Sequence, residues 1–303
     1  MKERSIKKKM SGRKKQLLGG IILSLPSMLI VAVFFLLPML FTLGLSFTDW
    51  NGIGLDGRFV GFSNYVDVIS ERFFWQILLN TLYLIVLYVP IVNALALVLA
   101  TILFNIRSRI SVAYRSVIFF PNLLSPVVVS FIWIILYQYQ NGIINKALRF
   151  CGLENLTQDW LGDKFLVMPS ISLTIIWFAV GYFMVIYFAG LTIIPTELYE
   201  AARIEGAGRV QQFTKITVPM MMPSIKINVI FSTIGAFSSF EFTKVMTNGG
   251  PGYYSATLAL QVFNYAYSNL QYGKSLAIAM VMATVAGLVT LIEWILLRKK
   301  GNI

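Results

Sequence analysis

Long stretches without a charged side chain dominate this chain, and their length limits its fold more than any other feature. They run over 16–48, 73–106, 116–145, 165–196 and 275–292, and a sixth, 227–246, carries Glu241 and Lys244 near its end. About 20 helical residues cross the roughly 30 Å of a bilayer's hydrocarbon core. No water is available there to satisfy peptide groups, so segments of this length must be helical. Trimmed for turns, the runs predict six spanning helices near 19–45, 78–104, 117–138, 166–192, 225–246 and 275–297. The expected fold class is all-α, a polytopic membrane protein. The first run is too long for a cleaved signal peptide and lacks an A-x-A cleavage pattern, so it is read as a retained span.

Composition excludes the other classes. Of 303 residues, 57% are hydrophobic and 13% charged, too little charge for the surface of a soluble enzyme. The same apolar content rules out a disordered chain, and unbroken runs are not the short alternating segments of an outer-membrane barrel. There is no His, and Cys151 is the single Cys, so His chemistry, His or Cys metal sites and an intrachain disulfide are excluded. No catalytic residues and no metal site are assigned.

The net charge of +12 is explained by where it sits. Eight of the 25 Lys and Arg lie in the first 15 residues, against an apolar run, which favours membrane orientation over nucleic-acid binding. With both termini inside, the cytoplasmic stretches carry 18 of the 25 basic residues. The expected topology is therefore N-in and C-in in the cytoplasmic membrane. A basic cytoplasmic tail (1–15) precedes one transmembrane domain (16–303). On the last span, Ala279, Ala283 and Gly287 form a small-residue stripe, read first as packing within this chain and otherwise as a subunit contact.

One cytoplasmic loop, 196–222, is too long for a tight turn. Pro195 ends the preceding span, Thr196 is a possible N-cap, and Glu197 suits the first turn of a helix. Gly206 and Gly208 allow a reversal. A second short helix follows, with Val210, Phe213 and Ile216 on one face, ended by Pro219 and Pro223. A plain interfacial amphipathic helix competes here with a helix that docks into a protein groove. Three Glu and an Ala-Ala pair suit the groove better than a lipid surface.

Glu200-Ala201-Ala202, Gly206 and Ile216-Thr217-Val218-Pro219 resemble the EAA motif of permease subunits in binding-protein-dependent ABC importers. Thr247-Asn248-Gly249-Gly250-Pro251 and the run Ala189-Gly190-Leu191 with Ile194-Pro195 resemble the carbohydrate branch, close to maltose and oligosaccharide permeases. Val60-Gly61-Phe62-Ser63-Asn64-Tyr65, Gly142-Ile143-Ile144-Asn145, Trp160-Leu161 and Tyr272-Gly273 fit the same pattern. Val218 stands where Leu is usual and Glu205 where Asp is common, both chemically mild departures. The likeness covers the chain from about residue 20 onward and leaves out the basic tail.

The resemblance implies a type I ABC importer permease (MetI-like) fold. It further implies a second homologous permease subunit, two ABC ATPase subunits and an extracytoplasmic sugar-binding protein. ATP-Mg would be used by the ATPase and no cofactor by this chain. The chain agrees in having no P-loop: Gly273-Lys274-Ser275 would need Gly at position 268, which is Ser268. In this reading Glu200 holds the coupling helix in the ATPase cleft, and Ala201 and Ala202 keep its face thin. Gly206 and Ala207 form the reversal, and Phe213, Ile216 and Pro219 seat the second helix.

A sugar path needs hydroxyl-bonding groups and aromatic platforms inside the bundle. Its candidates are Asn122, Ser125, Trp177, Tyr182, Ser238, Ser239 and Glu241, with a local Glu241–Lys244 pair as the alternative for Glu241. Glu293 is expected at the cytoplasmic interface. A glycerol phosphate as solute would call for a cation in the cavity, and the span interiors hold none. A self-sufficient secondary transporter would call for a cation site and repeated spans, and a membrane-embedded enzyme for paired catalytic groups. The chain offers neither set.

Overall fold

The computed structural model describes residues 21, 23–54, 56–106 and 109–299, so the tail 1–15 lies outside the described residues. In chain order the helices are α1 (Leu23–Leu45), α2 (Ser63–Ser70), α3 (Phe74–Asn105), α4 (Arg109–Leu123) and α5 (Pro126–Tyr137). They continue as α6 (Ile143–Phe150), α7 (Val167–Leu191), α8 (Thr196–Ile204), α9 (Arg209–Met220) and α10 (Met222–Phe237). The last are α11 (Phe240–Thr247), α12 (Leu258–Phe263) and α13 (Tyr272–Arg298). The fold is all-helical. Among the described residues the only strand-like pairing is an isolated bridge between Thr48 and Phe59.

Helices α1, α3, α7 and α13 are each long and apolar enough to cross a membrane alone. Counting each of two bent pairs as one span, α4 with α5 at 98° and α9 with α10 at 70°, gives six by length and composition. The third expected span, 117–138, is thus not one rod. It breaks at Leu124–Ser125 because Pro126 has no N–H to continue the ladder, and Ser125 caps the new helix by accepting from Val127 N at 3.3 Å. The fifth, 225–246, stops at Phe237 and resumes at Phe240. Ser239 Oγ donates to the Ala236 carbonyl there, at 2.7 Å. Single π-helical turns occupy Ala32–Leu36 and Phe213–Thr217, just ahead of Pro38 and Pro219. Widening the helix removes the clash each ring would make with the carbonyl four residues back. Pro219 therefore lies within α9 instead of ending it.

The core is the seam between α3 and α7. Ile77, Thr81, Leu84, Tyr88, Val92, Ala96, Ala100 and Leu103 form a buried stripe at helical spacing along α3. It meets Ile171, Ile175, Ala179, Phe183, Met184 and Tyr187 of α7. Gly181 brings α4 against α7: a Cβ there would collide with the backbone of Ile118 and Phe119. By contrast α1 leaves most of its apolar side chains exposed and meets α13 through its last turns, Leu37–Leu45. Ala283 is exposed and Gly287 has nothing near it, so packing within this chain does not use that part of the stripe.

The connections 46–73, 138–166 and 248–271 gather at one end of the bundle. Asn64 Nδ2 donates to the Ser46 and Thr48 carbonyls, and Gly273 N to that of Trp50, tying the α1–α2 loop to the start of α13. Buried Asn145 accepts from Trp160 Nε1 at 2.9 Å and donates to the Tyr139 and Gln158 carbonyls, closing the 138–166 loop. Among the described residues the one ion pair, Lys274 with Asp67 at 3.1 Å, is also here. Beside it Glu71 accepts the Tyr265 hydroxyl. Burial raises the Glu71 pKa, Lys274 opposes the shift and Asp67 adds to it.

Two outcomes follow from this packing. Gly181→Ala should destabilise the bundle by about 1–3 kcal/mol, the cost of overpacking a tight contact, read as a lower unfolding temperature in detergent. Because the folded pKa of Glu71 lies above its ordinary 4.5, the folded chain holds that proton more tightly than the unfolded one. Its stabilisation is full below pH 4.5 and lost as pH rises through the folded value. Glu71→Gln should flatten that part of a stability–pH profile.

Candidate functional site

Helices α8 and α9 form a hairpin at the opposite end, between α7 and α10. Pro195 occupies the N-cap position of α8 with extended ψ (132°), and no side chain caps the helix, so Thr196 is its first residue and not its cap. Glu197 lies in the first turn and Arg203 in the last, both matching the helix dipole.

The helix ends in a Schellman reversal. Ala207 N donates to the Ala202 carbonyl at 2.8 Å and Gly206 N to that of Arg203 at 3.1 Å. Gly206 takes φ +80°, which L side chains rarely adopt, while the space around its absent Cβ is open. Backbone conformation and not crowding therefore requires glycine here. Gln212 Nε2 then donates to the Ala207 carbonyl at 2.8 Å, closing the turn onto α9.

The hairpin's foot is firm and its tip is bare. Leu191, Ile194 and Met221 are buried, and the missing side chain of Gly190 makes room for Met221 and Ser224. The Tyr199 and Thr217 hydroxyls share a hydrogen bond at 2.9 Å, pinning α8 to α9. That contact was not foreseen, because two polar residues 18 apart carry no pairing signal. Phe213 and Ile216 are half-buried. Val210 is 78% exposed and does not share their face. Glu200, Ala201, Gly206 and Pro219 are exposed, Ala202 and Ala207 half-buried, and Ile204 is 89% exposed. Glu200 makes no ion pair among the described residues.

The candidate path residues lie on elements that pack together. Helix α11 packs on α5, and α7 on the 3-10 turn Phe120–Leu123 that holds Asn122. Phe178 meets Phe242 edge-on at 5.4 Å, joining α7 to α11. Trp177, 38% exposed, sits edge-on to Trp133 at 5.7 Å, and Tyr182 edge-on to Phe183 at 5.2 Å. Asn122 is half-buried, Ser238 exposed and Ser239 buried. The Oγ atoms of Ser125 and Ser239 already serve helix termini.

Glu241 is half-buried and is not paired with Lys244. Lys244 instead donates to Asn248 Oδ1 at 2.8 Å and lies over the Phe263 ring. An i+3 spacing permitted the ion pair, but Asn248, left-handed at the end of α11, offers the ammonium a partner one turn on. Glu293 departs from expectation too. Its Oε1 accepts the Thr233 hydroxyl at 2.7 Å, so it turns onto α10 instead of reaching the interface. No hydrogen bond joins any two of the seven candidates among the described residues.

Comparison with known proteins accords with this arrangement. The family described as binding-protein-dependent transport system inner membrane component matches residues 92–300. The multiple sugar-binding transport system permease protein MsmF of Streptococcus mutans is 31% identical, over 94% of this chain and 96% of its own. The diacetylchitobiose uptake system permease protein NgcF of Streptomyces coelicolor is 33% identical, over 84% of this chain and 75% of its own. A chain in the crystal structure of a bacterial ABC transporter involved in the import of the acidic polysaccharide alginate shares the fold. Its TM-score is 0.77 at 22% identity, with 95% of this chain and 96% of that one covered.

The reversal at Gly206 yields a local expectation. Gly206→Ala should cost about 1–2 kcal/mol for the left-handed residue. Amide exchange at positions 205–207 should quicken while the unfolding temperature of the bundle stays unchanged.

Proposed function

The chain belongs to the family of binding-protein-dependent transport system inner membrane components, and on that premise we propose that it is the permease subunit of an ATP-driven oligosaccharide importer. It pairs with a second homologous permease. Two ATPase subunits below use ATP-Mg, and an extracytoplasmic sugar-binding protein delivers the solute. The chain itself is not catalytic. Both termini, the tail 1–15 and the hairpin within 196–222 are cytoplasmic, and the transmembrane domain is 16–303. Oligosaccharide as cargo is supported by the sugar-transporting relatives and by the aromatic and hydroxyl side chains on the packed elements around Trp177.

One observation carries the coupling assignment: the α8 tip presents Glu200, Ala201 and bare Ile204 outward on a rigid foot. An apolar side chain left this exposed suits a partner surface. A carboxylate without an ion pair supplies charge-assisted hydrogen bonds to that partner. Ala201 and Ala202 keep the inserting face thin, and the Gly206 reversal lets the chain turn back at the contact. Phe213, Ile216 and the Tyr199–Thr217 bond hold the tip to the bundle, so a push on α8 reaches α7 through Ile194–Pro195 and α10 through Met221. Closure of the ATPase pair then swings the attached spans between inward- and outward-facing states.

The test is uptake of a panel of labelled oligosaccharides in cells producing the intact system. Glu200→Lys and Gly206→Asp should abolish uptake while the variants remain in the membrane at normal amounts and lose the ATPase on pull-down. Normal uptake by either variant at normal expression would overturn the coupling assignment. If no oligosaccharide accumulates with the wild-type chain, the assignment of cargo fails.

A further inference from the structure

Helix α6 is held at the level where α5 ends and α7 begins. A Cβ at Gly142 would collide with the Leu136 and Gln138 carbonyls, so the chain reverses tightly and α6 packs back on α5. Buried Asn145 fixes the reversal by donating to the Tyr139 carbonyl at 3.0 Å. Tyr137, the last residue of α5, donates to the Ser170 carbonyl in the first turn of α7, also at 3.0 Å. The 25 residues of α7, at about 1.5 Å each, exceed the roughly 30 Å of bilayer hydrocarbon. Its first turn therefore lies in the headgroup layer of a bilayer, and α6 with it. Trp160 and Tyr137, ring centroids 6.2 Å apart, stand at the same level, where such amphipathic rings collect.

Helix α6 has two apolar stripes and the bundle uses one. Ile144 and Leu148 are half-buried, Ile144 against the core. Ile143, Ala147 and Phe150, at i, i+4 and i+7, form a second stripe that is exposed, Phe150 by 93%. Phe165, two residues before α7, is 73% exposed, with the Lys164 ammonium 4.8 Å from its ring centroid. The helix carries Lys146 and Arg149 and no carboxylate. Arg149 donates to the Gln140 and Tyr139 carbonyls. Lys146 is exposed and makes no ion pair among the described residues. Of the acids that follow α6, Asp159 and Asp163 accept backbone N–H groups of their own turns.

Bulky apolar side chains flanked by cations are the composition of a helix lying on a membrane surface, the reverse of the Glu and Ala-Ala tip of α8. Resting on the permease reading above, which sets the spans in a bilayer, we propose that α6 and Phe165 form a membrane-surface anchor at the end opposite the hairpin. Ile143, Phe150 and Phe165 enter the boundary between headgroups and acyl chains. Lys146 and Lys164 lay their stems along that boundary and donate to lipid phosphates. Because Gly142 and Asn145 fix α6 to α5, the bilayer surface holds the ends of α5 and α7 at that level.

The exposed native Cys151, directly after α6, is the reporter. It is labelled with an environment-sensitive fluorophore in the assembled complex, whose other subunits are made cysteine-free. The complex is placed in nanodiscs of phosphatidylcholine and phosphatidylglycerol. Quenching is recorded with a nitroxide carried just below the lipid headgroup, with one carried deep in the acyl chain, and with aqueous iodide. Val86→Cys of α3 and Leu288→Cys of α13, each with Cys151→Ser, are span controls at exposed positions.

The Cys151 label should be quenched most by the shallow nitroxide. Ile143→Ser with Phe150→Ser, which removes only exposed side chains, should weaken that quenching and raise quenching by iodide. Lys146→Glu should act in the same direction. A Cys151 label quenched by iodide alone, one shielded from iodide and from both lipids by a protein neighbour, or a double variant identical to the wild type would overturn the anchor alone. If neither span control is quenched by the deep nitroxide, the spanning reading fails and the anchor with it.

Discussion

In a hydrocarbon medium burial of apolar surface earns no hydrophobic reward, so the α3–α7 seam must be held by close packing and by polar contacts within it. The arrangement of side chains reflects this. Ala96, Ala100 and Ala179 are buried within it among larger side chains, and on the other side of α7 Gly181 admits the backbone of α4. Helices α4, α10 and α13 are then placed by how they meet this pair. The Asn93–Tyr187 bond is inside the same seam, so the element that fixes the architecture also carries a buried polar contact between its two helices.

The interruptions in the spans follow from the same medium. A helix broken at membrane depth exposes peptide groups that must find partners. At Ser125 and Ser239 the side chains of the break residues supply them, and at Pro38 and Pro219 π turns absorb the prolines. The break at Ser125 turns α5 by 98° from α4, and α5 packs on α11.

At the hairpin the logic is reversed. The foot is packed as a protein interior and the tip is left open, with Ile204 nearly bare and Gly206 in a conformation chosen for the turn alone. Such a rigid projection suits transmitting displacement to the spans at its two ends.

The number of spans, the all-helical class and the position and general shape of the hairpin were legible in the sequence. Each depends on local quantities: the length of a charge-free run, the φ freedom of Gly206, the missing N–H of a proline. Glu200-Ala201-Ala202 was singled out by its resemblance to the EAA motif, a pattern of residue types and spacing that is read along the chain. Other features were decided only by tertiary structure. Lys244 chose Asn248 over Glu241, Glu293 turned to Thr233, the third span bent, the fifth broke between Phe237 and Phe240, and Tyr187 found Asn93 on another helix. A buried polar side chain takes the partner that a neighbouring helix brings within about 3 Å, and the identity of that neighbour is a property of packing, which no run of adjacent residues encodes.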